Sequence, residues 1–154
     1  MRFTSFLNMF ETWAKASPDA PALRYESRSS ICTMSWSVLE ARVREEASSS
    51  NPSCVTGFFL NDPDPELLIR FFSSVSSGKR TVLLDSNMPE DELRSLIRMT
   101  GTDRLEGDDE LAGELSDALD TPDYSRADGG ILFYTSGTTS RSKAVVLTEK
   151  SLCA

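Results

Sequence analysis

The chain has 154 residues, and this length suits a single domain. Its 24 acidic and 16 basic residues give a formal net charge of −8, which argues against a general nucleic-acid or membrane-surface binder, since such proteins present a basic face. The sequence contains no histidine, so it cannot build a Ser-His-Asp or Cys-His nucleophile pair, an imidazole base or a histidine metal ligand.

The three cysteines indicate neither a disulfide framework nor a zinc site. Cys32, Cys54 and Cys153 are odd in number, widely separated and without C-x-x-C spacing. The first residues do not have the pattern of a secretory signal, and no apolar run approaches the roughly 18–20 residues of a membrane span. We therefore expect a soluble cytoplasmic protein with no membrane span and no metal site.

Helical and strand patterns alternate along the first half of the chain. Apolar residues at positions 3, 6, 7, 10 and 14 have helical spacing and predict a first helix, with Thr4 or Ser5 as its N-cap and its end before the polar stretch 17–21. Two short apolar runs, 22–25 and 31–34, predict a β-hairpin. A second helix follows, and the capping-box spacing of Ser37 and Glu40 predicts that it begins at Ser37.

Two strand–helix units occupy the centre of the chain. The runs 55–60 and 81–84 are predicted strands, and a predicted helix follows each, from Pro65 towards Gly78 and from residue 88 to about residue 99. Successive units of this kind predict a layered α/β fold, with a largely parallel sheet flanked by helices. Four phenylalanines are assigned to its core: Phe58, Phe59, Phe71 and Phe72.

The acidic charge is concentrated in one segment, residues 103–128. Ten acidic and two basic residues in this segment account for the whole net charge of −8. The simplest interpretation is a solvated helix, at about 109–119, with flanking loops. An acidic docking surface is the alternative.

A loop rich in hydroxyl groups lies near the end of the chain. Two β-type runs, 131–134 and 144–147, enclose a segment with several Ser and Thr residues, Gly137, Arg141 and Lys143. Hydroxyl and backbone N–H donors together with cations suit a phosphate group. An ordinary turn between two strands is the alternative.

The Walker A phosphate loop does not fit this segment. The pattern G-x-x-x-x-G-K-[ST] requires Gly at position 142 and Ser or Thr at position 144, where the chain has Ser142 and Ala144. The segment is also followed by a β-type run instead of a helix. A P-loop nucleotide hydrolase is therefore unsupported.

Residues 134–145, with the sequence YTSGTTSRSKAV, resemble the signature phosphate loop Y-T-S-G-T-T-G-x-P-K-G-V of the adenylate-forming superfamily. This superfamily of AMP-dependent synthetases and ligases includes acyl-CoA synthetases, peptide-synthetase adenylation domains and beetle-type luciferases. Three upstream stretches also resemble the family: 17–23, 35–39, and 65–85 with its P-E-L-L helix and L-D strand end. The resemblance covers nearly the whole chain and implies the N-terminal subdomain of the adenylate-forming fold.

The resemblance implies that the intact enzyme activates a small-molecule carboxylate with Mg-ATP. The product is an acyl-adenylate, and coenzyme A then takes the acyl group. The family pattern assigns six residues to the phosphates: Thr135, Ser136, Gly137, Thr138, Thr139 and Lys143. Lys143 would also stabilise the charge of the departing pyrophosphate, whereas Arg141 is expected to face solvent.

The chain departs from the family pattern in two respects. Ser140, Ser142 and Ala144 replace usual Gly, Pro and Gly residues, and Glu149 stands where many members have His. Members are also several times longer, so we expect residues 1–154 to be the N-terminal subdomain, without the mobile C-terminal lid domain and inactive by themselves. An uncovered sheet edge would then favour self-association.

Two further functions remain as alternatives. The first is a truncated or degenerate domain without catalytic activity, which at most binds nucleotide or a partner. The second is an adenylation domain that loads a carrier protein instead of coenzyme A. The residues of the phosphate loop do not distinguish coenzyme A from a carrier protein as the acceptor of the acyl group.

Overall fold

A computed structural model describes residues 3–27, 29–49, 53–121, 129–135 and 143–153. In chain order the elements are α1 (Phe6–Ala16), β1 (Pro21–Ser27), β2 (Ser30–Ser35), α2 (Trp36–Ser48), β3 (Val55–Phe59), α3 (Pro65–Ser76), β4 (Arg80–Leu84), α4 (Glu90–Thr100), β5 (Arg104–Glu106), α5 (Asp109–Glu114), a 3-10 turn (Ser116–Ala118), β6 (Gly130–Thr135), β7 (Lys143–Leu147) and α6 (Glu149–Leu152).

The main sheet has five strands in the order β5-β3-β4-β6-β7. The first four of these strands are mutually parallel, and β7 runs antiparallel to β6. Strands β1 and β2 form a separate antiparallel hairpin, as predicted. The predicted α/β class with a largely parallel sheet is therefore confirmed.

Helices cover both faces of the main sheet because alternate residues of its strands point to opposite faces. On one face, Phe59 and Val82 pack with Leu93 and Ile97 of α4. On the other face, Phe58 packs with residues of α3. Phe58, Phe59 and Phe71 are buried and Phe72 is partly buried, which agrees with their assignment to the core.

An outer layer made of α1, α2 and the β1–β2 hairpin packs on the far side of α3. Phe10 of α1, Leu39 and Val43 of α2 and Met34 of β2 form a buried cluster with Ile69 of α3. Helix α3 therefore lies between the sheet and this outer layer and is apolar on two sides.

Local capping explains where the helices begin. Ser5 is the N-cap of α1, and its Oγ accepts a hydrogen bond of 3.0 Å from Asn8 N. Asp64 caps α3 in the same way, with Pro65 as the first helical residue. The prediction for α2 was wrong: its N-cap is Ser35, because the helix begins at Trp36 and already includes Ser37.

The acidic segment is only partly a solvated helix. Residues 104–106 form the edge strand β5, which the sequence analysis assigned to a flanking loop, and α5 ends at Glu114, before the 3-10 turn. Glu106 of this strand forms ion pairs with Arg70 (3.1 Å) and Arg104 (2.6 Å). Part of the negative charge of the acidic segment is therefore paired with arginines, one of which lies in α3 and links β5 to that helix.

The described helices are short. The longest, α2, has 13 residues, and no helix in the described ranges could cross a lipid bilayer.

Candidate functional site

The β6–β7 hairpin carries the predicted phosphate loop at its tip. Strand β6 ends at Thr135 and strand β7 begins at Lys143. These two residues are paired directly across the two strands. Paired residues of antiparallel strands have Cα atoms about 4.5–5.5 Å apart. The fold thus brings together Thr135 and Lys143, two of the six predicted phosphate-binding residues. They are eight positions apart in the sequence.

The remaining predicted residues lie between these two positions. Residues 136–142, which include Ser136, Gly137, Thr138 and Thr139, are outside the described ranges, as is Arg141. For Thr135 and Lys143 the structure describes the backbone. The roles of all six residues stay predictions.

The hairpin tip lies at the carboxyl edge of the parallel strands. Strands β3, β4 and β6 run in the same direction, so their carboxyl ends meet at one edge of the sheet. In addition, α3 follows β3 on one face whereas α4 follows β4 on the other. Adjacent strands whose connections diverge in this way open a crevice, which is where ligands bind in open α/β sheets.

A hydrogen-bond network connects the ends of β3 and β4 at this edge. Asn61 Nδ2 donates to Asp85 Oδ1 (2.7 Å), and Ser86 N donates to Asn61 Oδ1 (3.0 Å). Asn87 N also donates to Asp85 Oδ1 (2.9 Å). The hydrogen bond from Asn61, followed by those from Asn87, lowers the pKa of Asp85, because these bonds favour the ionised carboxylate. The network connects the loops that follow β3 and β4.

Tyr134 lies at the same edge, one residue before Thr135. Its side chain is partly buried against the core cluster that includes Leu84 and Leu132. Burial raises the pKa of its phenol. Tyr134 is the first residue of the segment 134–145 that resembles the phosphate-loop motif, but it is not among the six residues that the resemblance assigns to the phosphates.

The segment after β7 is fixed to the first helix. Glu149 Oε1 accepts a hydrogen bond of 2.7 Å from Phe6 N, and Cys153 O accepts one of 3.4 Å from Phe3 N. The position where many adenylate-forming enzymes have His therefore provides here an acceptor for the first N–H group of α1, whose N-cap is Ser5.

Within the described ranges, no group of three or more Cys, Asp or Glu side chains lies close enough to hold a metal ion. We therefore assign no Mg²⁺ ligand to this part of the chain.

No protein-family model and no curated protein matches the sequence, but solved structures do. The N-terminal subdomain of Klebsiella oxytoca NpsA, in complex with 3-hydroxybenzoyl-AMSN, aligns with 99% of this chain and 43% of its own, with a TM-score of 0.72 and 17% identity. O-succinylbenzoate coenzyme A synthetase (MenE) from Bacillus subtilis, in complex with AMP, aligns with 92% of this chain and 42% of its own (TM-score 0.67, 21% identity).

A third similar structure is the fatty acyl-adenylate ligase from L. pneumophila, in complex with acyl adenylate and pyrophosphate. It aligns with 95% of this chain and 30% of its own, with a TM-score of 0.60 and 17% identity. The present chain thus spans less than half the length of each of these three structures.

The chain forms an α/β domain whose candidate site lies at the carboxyl edge of a parallel sheet. More specifically, it has the fold of the N-terminal part of adenylate-forming enzymes, so the resemblance predicted from the sequence is confirmed at the level of the fold.

Proposed function

We propose that this chain supplies the phosphate-binding hairpin of an AMP-forming acyl-CoA synthetase. The observation that carries the proposal is the pairing of Thr135 with Lys143 at the carboxyl edge of the sheet, with the motif residues 136–142 between them. A hairpin presents the hydroxyl groups and the cation of this motif on one short segment. Such a segment can surround the terminal phosphates of ATP with donors.

In the proposed reaction a carboxylate oxygen attacks the α-phosphorus of ATP. The bond from the α-phosphorus to the bridging oxygen breaks, and its electron pair leaves with pyrophosphate. The hydroxyls of Thr135, Ser136, Thr138 and Thr139, with the backbone N–H of Gly137, would donate to the β- and γ-phosphates. The ammonium of Lys143 would stabilise the charge that develops on the leaving group.

The partners of the reaction follow from the same proposal. The carboxylate is a small molecule, ATP enters with Mg²⁺, and coenzyme A takes the acyl group from the acyl-adenylate and releases AMP. Structures similar to this one were solved with AMP or with an acyl adenylate, which supports adenylation as the shared chemistry. We place the protein in the cytoplasm and propose no nucleic-acid partner.

Calorimetry with ATP tests the phosphate role directly. Lys143→Ala removes the cation, and we expect ATP to bind about tenfold or more weakly, because a hydrogen bond to a charged group contributes about 1.5–3 kcal/mol. Thr138→Ala should weaken binding in the same direction. Lys150→Ala is the matched control, since Lys150 is an exposed lysine of α6 outside the motif. Equal affinities in all four proteins would disprove the phosphate role.

Turnover is tested separately by carboxylate-dependent exchange of pyrophosphate into ATP. We expect the 154-residue chain to show no exchange above that of Lys143→Ala, because it spans only 30–43% of the length of the three similar enzyme structures. Exchange clearly above this control would mean that the chain is catalytically competent by itself.

A further inference from the structure

Strand β7 is an apolar edge of the main sheet that is exposed on both faces. It pairs with β6 on one side, and no other strand in the described ranges pairs with its outer side. Val145 lies opposite Phe133, on the α3 face, and is 43% exposed. Val146 lies opposite Leu132, on the α4 face, and is 49% exposed. The helices of the chain therefore leave both faces of β7 open to solvent.

The segment after β7 is fixed elsewhere. The hydrogen bonds from Phe6 N to Glu149 Oε1 and from Phe3 N to Cys153 O hold residues 149–153 at the start of α1. Both valines of β7 stay exposed in this arrangement, so the segment does not cover the strand. The outer side of β7 is therefore open to a strand of another polypeptide.

The opposite edge strand of the sheet, β5, has features that prevent such pairing. It has only three residues, and its two charged residues, Arg104 and Glu106, form an ion pair of 2.6 Å. Short strands and charged side chains are common means of protecting a sheet edge from pairing with another chain. Strand β7 has five residues, and the run 144–148 carries no charge. Of the two edges, β7 is therefore the one that fits the self-association expected from the sequence.

The distribution of charge favours a second copy of the chain at this edge. Strand β5 and helix α5, which begin the acidic segment, lie at the far edge of the sheet, and residues 143–153 contain only two lysines and one glutamate. In two sheets joined at β7, the two β5 strands would be nine strand spacings apart, or roughly 40 Å. This distance is several times the Debye length of about 10 Å at 0.1 M salt, so repulsion between the two acidic edges is largely screened.

We propose that two copies of this chain pair antiparallel through β7, so that their five-stranded sheets join into one continuous sheet. Antiparallel pairing of identical strands has a two-fold axis perpendicular to the sheet, and such an interface is complementary to itself. Pairing over the whole strand places Val145 on this axis, opposite its own copy. Backbone hydrogen bonds between the two edges provide affinity, and the valines lose exposed surface on both faces. The inference does not depend on the phosphate role of the hairpin.

The first test is analytical ultracentrifugation of wild type, Val146→Lys and Ile31→Lys over a wide range of concentrations in 0.1 M salt. We expect the mass of the wild type to rise with concentration from that of one chain to that of two. Val146→Lys brings like charges together near the two-fold axis and should weaken the dimer about tenfold or more. Ile31→Lys, at an 82% exposed residue of β2, is the matched control and should dimerise like wild type.

Two outcomes of this test would overturn the proposal. A wild type that is monomeric at every concentration would mean that the edge of β7 is left for a different occupant. A dimer that Val146→Lys and Ile31→Lys weaken equally, or that neither weakens, would mean that the copies meet at another surface. Circular dichroism shows whether each variant is folded.

The second test is disulfide cross-linking, which decides the question even if Val146→Lys fails to fold. Residues paired directly across antiparallel strands have Cα atoms about 4.5–5.5 Å apart, within the range of a disulfide. Val145→Cys should therefore form a covalent dimer on mild oxidation. Wild type, with its three cysteines, and Met99→Cys, on the exposed side of α4, define the background. If neither Val145→Cys nor Val146→Cys cross-links above this background, the β7 pairing is wrong.

Discussion

Glu149 and Phe6 are joined by a hydrogen bond of 2.7 Å from the backbone N–H of Phe6 to Glu149 Oε1. The two residues are 143 positions apart, and the bond connects the short helix after the candidate hairpin to the first turn of α1. A carboxylate at this position meets both an unsatisfied N–H group and the positive end of the helix dipole.

We expect Glu149→Ala to destabilise the protein by about 0.5–1.5 kcal/mol, the usual net contribution of one intramolecular hydrogen bond. Glu149→Gln keeps an acceptor oxygen and should lose less, since it removes the charge but leaves the hydrogen bond. Urea unfolding of both variants measures the difference. Equal losses in the two variants would mean that the charge, and not the acceptor, stabilises α1.

Asp103 holds the start of β3 against β5. Its carboxylate accepts hydrogen bonds from Cys54 N (2.7 Å) and Val55 N (3.1 Å), and also from Ser53 Oγ. Asp103→Ala leaves these donors without their acceptor, and we expect the free energy of unfolding to fall by about 1–3 kcal/mol. Asp62→Ala, at an exposed aspartate, is the control and should change little. A neutral effect of Asp103→Ala would show that water replaces the carboxylate.

Two glycines are expected to respond to alanine in opposite directions. Gly107 has φ +102°, and a Cβ there would lie 2.5 Å from Phe59 O, so Gly107→Ala should destabilise by about 1–3 kcal/mol. Gly113 is in α5 with open space around it, so Gly113→Ala should stabilise by about 0.5–1 kcal/mol. Thermal unfolding of the two variants checks the signs, and a destabilised Gly113→Ala would mean that α5 is not helical in solution.

The stabilising effect of Asp85 should depend on pH. Its pKa is lowered in the folded protein, so its contribution is complete above the unfolded value of about 3.9 and is lost as the pH falls through the folded pKa. The difference in unfolding free energy between wild type and Asp85→Asn should therefore be largest near pH 7 and shrink towards pH 2. In an Asn61→Ala background, which removes the first donor, this pH dependence should be weaker. A constant difference would contradict the network.

The phosphate-loop hairpin illustrates what sequence alone could predict. Two β-type runs around a polar segment indicated β6 and β7, and the structure pairs them antiparallel. Strand β5 was missed because three residues, Arg104 to Glu106, are too few to show an alternating pattern within an acidic segment. The start of α2 was misplaced by two residues because Ser35 and Ser37 are both good caps, and the choice depends on the end of β2.

Hydrophobic periodicity and turn residues are local signals, so most of the helices and strands, the largely parallel sheet and the motif between β6 and β7 could be predicted from the sequence. Contacts between residues that are far apart in the chain could not: Glu149 with Phe6, Asp85 with Asn61, and Asp103 with the start of β3. It also left the Tyr134 hydroxyl buried without a partner. Such relationships arise from packing between elements that are distant in the chain, and no local pattern encodes them.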